Sequence, residues 1–320
     1  MWYVDAPDLT CVSIHVLNLH IMCLCSTQFG LRIYDTLTAQ CCERLQSSVT
    51  SGDFELEAKI GVFMASNNPS RTRYTVPAVG SGYCVLTNAT PAPYSFKPGL
   101  TEEDFSTLCN TLKQRLTYTQ ERRVEPILDY QKTHTIDSFY RVDGRRIRVS
   151  RDIVTKEVKE CIEKVSICDD INVLDNAPAN ASKYSFRISA KREVKAPLPP
   201  PTATPLMTRE KLRRSFICGP WSIDLTEVTT GDQKTYEVEV EMHSRYLETM
   251  RVASQQALTR ESGTFMRMVE ALIRTVKSLI MATNPAFRCI PSDHRHAKQP
   301  RPNADGDPNA QNVVQLPKKQ

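Results

Sequence analysis

The chain has 320 residues, an ordinary apolar content of 40% and a formal net charge of +5. That length allows one large domain or two small ones, and so slight a net charge argues against a nonspecific polyelectrolyte binder, so the charges matter by position. The 11 cysteines form no CxxC pair, Cys23/Cys25 and Cys41/Cys42 lie too close for ordinary metal spacing, and the 6 histidines form no HExxH cluster, which argues against zinc chemistry and predicts reduced, mostly buried thiols in an intracellular protein.

In chain order, residues 9–25 are apolar but interrupted by His15, Asn18 and His20. The stretch falls short of the roughly 18–20 apolar residues a membrane span needs and lacks a basic flank with a cleavage site. It predicts a packed helix or an extension upstream of the core. FELEAKIG at 54–61 alternates charged and apolar residues, so Glu55, Glu57 and Lys59 share one strand face and Phe54, Leu56, Ala58 and Ile60 the other. Thr101 followed by Glu102, Glu103 and Asp104 has the form of a helix start, and Phe105, Leu108, Leu112 and Leu116 recur at helical spacing. Residues 160–168 read equally as helix or strand. YSFRISAKREV at 184–194 and TREKLRRSF at 208–216 alternate again, with Arg187, Lys191 and Glu193, then Arg209, Lys211 and Arg213, on their charged faces. The intervening KAPLPPPTATP is too proline-rich for a central strand and predicts an extended loop between two strands. YEVEVEM at 236–242 places Glu237, Glu239 and Glu241 on one face against Val238, Val240 and Met242. A helix is predicted over Gly263–Ala282, with an apolar stripe facing a core and Arg267, Glu270, Arg274 and Lys277 on the far side.

A solvated Glu face on each half-exposed strand would explain the pattern blandly. Two strands with apolar outer faces, however, fit a closed sheet with a hydrophobic outside covered by helices and a charged inside. Carboxylates about 4 Å apart repel by about 4 kcal/mol at an effective dielectric near 20, so an unpaired acidic cluster would partly neutralise. A divalent cation removes the problem, and hard oxygen ligands suit magnesium or manganese. Arg and Lys on the basic strands supply donors for phosphate oxygens. The inward acidic candidates, Glu193 and Asp224 added to those above, nearly balance the basic ones, Arg148 included, as a sealed tunnel requires.

FELEAKIG, IRVSRD, YSFRISAKREV, RxKxRxSF, SIDLTEV and YEVEVEM occur in that order. In this they resemble the metal-dependent RNA 5′-triphosphatases of fungal and protozoan type, members of the triphosphate tunnel metalloenzymes that carry out the first step of mRNA capping. FKPGLTEEDF at 96–105 resembles the segment leading into that family's first internal helix. The resemblance covers about 52–284. It implies an α+β fold, a closed antiparallel eight-stranded β-barrel with supporting helices outside. Residues 1–45 are then an N-terminal extension, 46–284 the tunnel catalytic domain and 285–320 a disordered basic, Pro-rich tail.

By position, the resemblance implies that Glu55, Glu57 and Glu241 bind the catalytic Mg²⁺ or Mn²⁺. Glu237 and Glu239 would hold metal-bound waters or orient basic residues, and Glu193 would activate the attacking water. Arg148, Lys164, Arg209, Lys211 and Arg213 would contact phosphates, joined by Lys59 and Arg187, with Asp224 and Thr226 fixing them from the neighbouring strand. Lys191 stands where the family pattern calls for a small polar residue, which leaves its role open. The activity implied is metal-dependent hydrolysis of the γ-phosphate of triphosphate-ended RNA by in-line water attack, in the nucleus, with a guanylyltransferase as a partner and no membrane. No HCxxxxxR signature points to a cysteine phosphatase. Two other readings stay open: a tunnel hydrolase of small triphosphates (nucleotide, inorganic or thiamine triphosphate), and a noncatalytic polyphosphate or RNA-end binding module.

Overall fold

The structure, a computed structural model, describes residues 28–49, 54–66, 72–76, 82–88, 91–123, 128–175, 183–257 and 263–284. The apolar stretch 9–25 and the tail 285–320 lie outside the described residues. The chain opens with helix α1 (Gln28–Val49), then strands β1 (Glu55–Ala65), β2 (Tyr83–Val85) and β3 (Tyr94–Pro98), helix α2 (Glu102–Arg122), strands β4 (Asp129–Val142), β5 (Arg145–Asp152), β6 (Val158–Ser166), β7 (Ile171–Asp175), β8 (Ser185–Lys195), β9 (Met207–Cys218), β10 (Trp221–Thr230) and β11 (Gln233–Met242), and helices α3 (Ser244–Ala257) and α4 (Gly263–Ala282).

Period-two alternation is what lets these strands close on themselves: β1, β8 and β11 have an apolar face to cover and a charged face to enclose. The sheet runs β1-β8-β6-β5-β4-β9-β10-β11 and back to β1, every neighbour antiparallel. This is the eight-stranded barrel the resemblance implied. Strands β2, β3 and β7 extend the sheet outside it. Strand β1 pairs β8 along one edge and divides its other edge between β11, at Glu57–Lys59, and β3, at Gly61–Ala65. That close approach of β3 needs a glycine: a Cβ at Gly61 would lie 2.3 Å from the Lys97 carbonyl oxygen.

The main core lies outside the barrel. Leu56, Ala58 and Ile60 of β1, Phe186, Ile188 and Ala190 of β8, and Val238, Val240 and Met242 of β11 pack with the apolar stripes of the helices. Helix α4 contributes Phe265, Met268, Val269, Leu272, Ile273, Val276, Leu279 and Ile280, all buried, and spans the range its stripe predicts. One predicted polar-face residue departs from expectation: Lys277 is only 5% exposed, its ammonium 3.6 Å from the centre of the Tyr83 ring. Residue 46, where the sequence reading begins the barrel domain, lies inside α1, whose Leu37, Cys41, Cys42, Leu45 and Val49 belong to the same core. Helix α2 starts as read: the Thr101 hydroxyl accepts from the Asp104 N–H at 3.2 Å. Residues 160–168 resolve in favour of strand β6 through Ser166.

Strands β4 and β5 join through Asp143-Gly144, both with positive φ, 50° and 77°, a two-residue turn whose twist matches the strands it links. The Pro-rich stretch leaves β8 and enters β9 as a loop, tied by the Ala196 N–H to the Cys161 carbonyl at 3.0 Å and by the Leu206 N–H to the Phe139 carbonyl at 2.7 Å. Among the described residues the cysteines are free, with Cys41, Cys42, Cys109 and Cys218 buried. Burial pushes the Cys41, Cys42 and Cys218 thiols up to about 12, which makes them poor nucleophiles. No described helix is long and apolar enough to cross a membrane.

Candidate active site

A cavity of about 1040 Å³ runs inside the barrel, lined by the charged faces of its strands. Its first wall is acidic. In the β1–β11 ladder Glu57 stands directly opposite Glu241 and Lys59 opposite Glu239. Across the other edge of β1, Glu55 faces Lys191. Glu57, 3% exposed, is gripped at one oxygen by Lys59 and at the other by Lys191, each at 3.2 Å. Glu55 takes the Lys164 ammonium at 2.5 Å, and Lys164 also reaches Glu193 at 2.9 Å. Lys59 bonds Glu239 directly.

The second wall, β9 with β5 and β4, is basic. Arg213 spends its guanidinium on the protein, at 2.9 Å from Asp224, 3.3 Å from Glu239 and 3.3 Å from the Thr226 hydroxyl. Lys211 pairs with Asp137 at 3.2 Å, and the Ser150 hydroxyl donates to the other Asp137 oxygen at 2.6 Å. Arg148 bonds Glu160 and lies 3.4 Å from Glu193. Arg209 stands 3.8 Å from Glu237 and over the Phe139 ring at 5.0 Å, its Nε without a hydrogen-bond partner. Arg187 pairs with Asp170 at 3.2 Å.

The predicted site residues therefore converge on one cavity, except that Asp224 and Thr226 do not line it. Both are buried behind Arg213 and hold that side chain. Sequence reasoning missed Asp137, Ser150 and Glu160, the partners of Lys211 and Arg148. The alternation Thr133, Thr135, Asp137, Phe139 running into an Asp-Gly turn was the available signal.

Electrostatics divides the carboxylates. Burial would raise Glu239, but Lys59, Arg213 and Lys211 hold it far below the usual carboxylate range. Glu57 is likewise lowered: Lys59, helped by Lys164 and Lys191, outweighs burial and the charge of Glu239. Asp137 is lowered too, Lys211 and the Ser150 hydroxyl overcoming burial. Burial dominates at Glu55, which is raised despite Lys164. Glu241 is pushed up to about 8 by burial together with Glu55 and Asp224, Arg213 opposing, and it has no ion pair among the described residues. On the basic side, Glu239 and Glu57 raise Lys59 against burial. Lys211 is lowered, by burial and then by neighbouring Arg213.

Glu55 and Glu241, the carboxylates whose charge their surroundings match least, are the residues that could help hold a hard cation. Among the described residues no group of three His, Cys, Asp or Glu side chains is arranged to hold a metal unaided. The donor set suits an ion that keeps several waters and completes its shell with substrate phosphate.

A family model described as mRNA capping enzyme, beta chain, matches residues 32–281. No curated protein sequence matches the chain. Among solved structures, that of the S. pombe Pct1 RNA triphosphatase superposes with a TM-score of 0.67 at 23% identity, covering 77% of this chain and 93% of that one. The structure of Pct1 in complex with the Spt5 CTD gives 0.68 at 22% identity, covering 78% and 93%. These two likenesses show the fold.

Proposed function

Because the chain belongs to the mRNA capping enzyme beta-chain family, we propose that it is the RNA 5′-triphosphatase of a capping system, removing the γ-phosphate of triphosphate-ended RNA and leaving a 5′-diphosphate end. One observation carries this reading. A wall carrying the least-matched carboxylates, Glu55 and Glu241, faces a basic wall across one cavity inside the barrel, the arrangement a polyphosphate needs to be held at both its charge and its reacting end.

The roles the resemblance implies are compatible with the geometry. Glu55, Glu57 and Glu241 would hold a divalent cation, Mg²⁺ or Mn²⁺. When bound, it supplies charge neutralisation on the phosphoryl oxygens. Arg209, whose side chain is partly exposed, would grip phosphate oxygens, joined by Lys211 from the same strand and by Arg148 from β5 across the intervening β4. Glu239 and Glu237 orient Lys59, Arg213 and Arg209. Glu193, which accepts from Lys164 and Arg148 and lines the cavity, would hold a water for in-line attack on phosphorus. Positioning and fixed charge dominate phosphoryl transfer, and no covalent intermediate with the protein is required. A nuclear location and a guanylyltransferase partner follow from capping chemistry as part of the proposal.

The test is release of labelled phosphate from γ-labelled triphosphate-ended RNA with Mg²⁺ or Mn²⁺, with chelator, and with Glu55→Ala. Release that needs both the ion and Glu55 supports the assignment. Retained RNA binding with no turnover under any metal would replace it by a binding module.

A further inference from the structure

We propose that the tip of the β4–β5 hairpin, Arg141 and Arg146 above Phe139, is the landing site for the RNA chain downstream of its triphosphate; this rests on the function proposed above. The inner face of the hairpin is a ladder of cross-strand pairs, Asp137 with Ser150, Phe139 with Arg148, then Arg141 with Arg146. Successive pairs step about 6.8 Å along the strand, carrying the arginines from inside the tunnel to its rim. Arg148 is matched by Glu160 and Glu193. Arg141 and Arg146 are exposed, and neither has an ion pair with a carboxylate among the described residues. Like charges placed directly opposite each other cost stability, and a polyanion crossing the rim removes that cost.

The two ends of the tunnel differ in balance, which gives the chain a direction. Strand polarity puts Lys59, Arg187, Arg209 and Arg146 at one end with Glu237 and Asp170 as their acidic neighbours, whereas toward the other Glu55, Glu193, Glu160 and Asp152 are interleaved with Lys164, Lys191 and Lys159. A triphosphate whose reacting end lies among the carboxylates must trail its nucleotides through the basic mouth. The Arg146 guanidinium lies 4.7 Å from the Phe139 ring centre, with Arg209 stacked on the same ring. That stacking fixes the side chain before the ligand arrives, so less freedom is lost on binding. Contact with successive phosphates and no base edge makes the grip indifferent to RNA sequence.

The experiment compares the full chain with the Arg141→Ala/Arg146→Ala double variant, after a melting curve shows both folded. Binding of a fluorescent triphosphate-ended RNA, followed by anisotropy in chelator, should weaken about tenfold in the variant, and its log-log salt dependence should become shallower by about 0.7 for each phosphate no longer neutralised. Inorganic tripolyphosphate, used as competitor, should bind both proteins alike. Equal RNA affinity, or an equal weakening for tripolyphosphate, overturns the proposal. Weaker RNA binding in the variant alongside a wild type that binds RNA but never releases phosphate would support the rim and sink the hydrolase reading instead.

Discussion

Arg209 and Arg213 lie on one strand and share a face, yet substitution should read differently at each. Arg213 is the sole cation held at once by Asp224, Thr226 and Glu239 in the geometry described. Arg213→Ala removes the ion pair of buried Asp224 and one of the two at Glu239, which keeps Lys59, so we expect stability to fall by about 3 kcal/mol, measured by urea unfolding, together with loss of activity. Arg209→Ala leaves only the half-buried Glu237 without its partner. Stability should change by less than about 1 kcal/mol while KM for triphosphate rises; an unaltered KM would make Arg209 structural. Glu241→Gln should do the reverse of Arg213→Ala, raising the melting temperature of the metal-free protein because it relieves repulsion, while cutting hydrolysis at least about 100-fold. Far from the cavity, Lys277 gives a pH signature. Burial, only partly offset by Asp175, lowers it from 10.5 to about 7. Unfolded, it keeps its proton to the higher value, so between about pH 7 and 10.5 the unfolded state binds more protons and stability from this group rises with pH. Below 7 the cost is fully present. Lys277→Met should therefore stabilise at neutral pH by on the order of 2 kcal/mol and flatten that rise, as thermal melts across the range would show.

At the scale of elements, β1 is constrained on both edges. Gly61→Ala would push a methyl into the β3 backbone at Lys97, an overpacking we expect to cost about 2 kcal/mol by denaturant titration. The charged strands were legible because an enclosed charged face and a helix-covered apolar face impose period two on β1, β8 and β11, while β9 showed through the regular spacing of Arg209, Lys211 and Arg213 on its inner face. Helix α4 was legible for the same reason at period 3.6. Strand β4 was not, since its outward residues are mixed and its single buried acid, Asp137, sits among Thr and Phe with no charge alternation to reveal it. Helix α3, which packs on α4 through residues that include Met250 and Ala253, has too short a stripe to stand out. Helix α1 carries part of its apolar stripe on Cys41 and Cys42, which read as thiols before they read as core. Spacing also gives a face but not a depth, so Asp224 and Thr226 could be placed on the right side of β10 without showing that Arg213 stands between them and the cavity.

For the whole molecule, the barrel is closed by β1 meeting β8 and β11, strands well over a hundred residues away in sequence. Contacts of that separation fold slowly, on the millisecond-to-second scale typical of non-local sheets. The seam has a further meaning. Glu57 and Glu241 face each other across it, so the acidic wall does not exist until the last barrel strand is zipped to the first. A partly made or partly folded chain would hold its basic strands without that wall. On the function proposed above, competence for the reaction and completion of the fold would then be a single event.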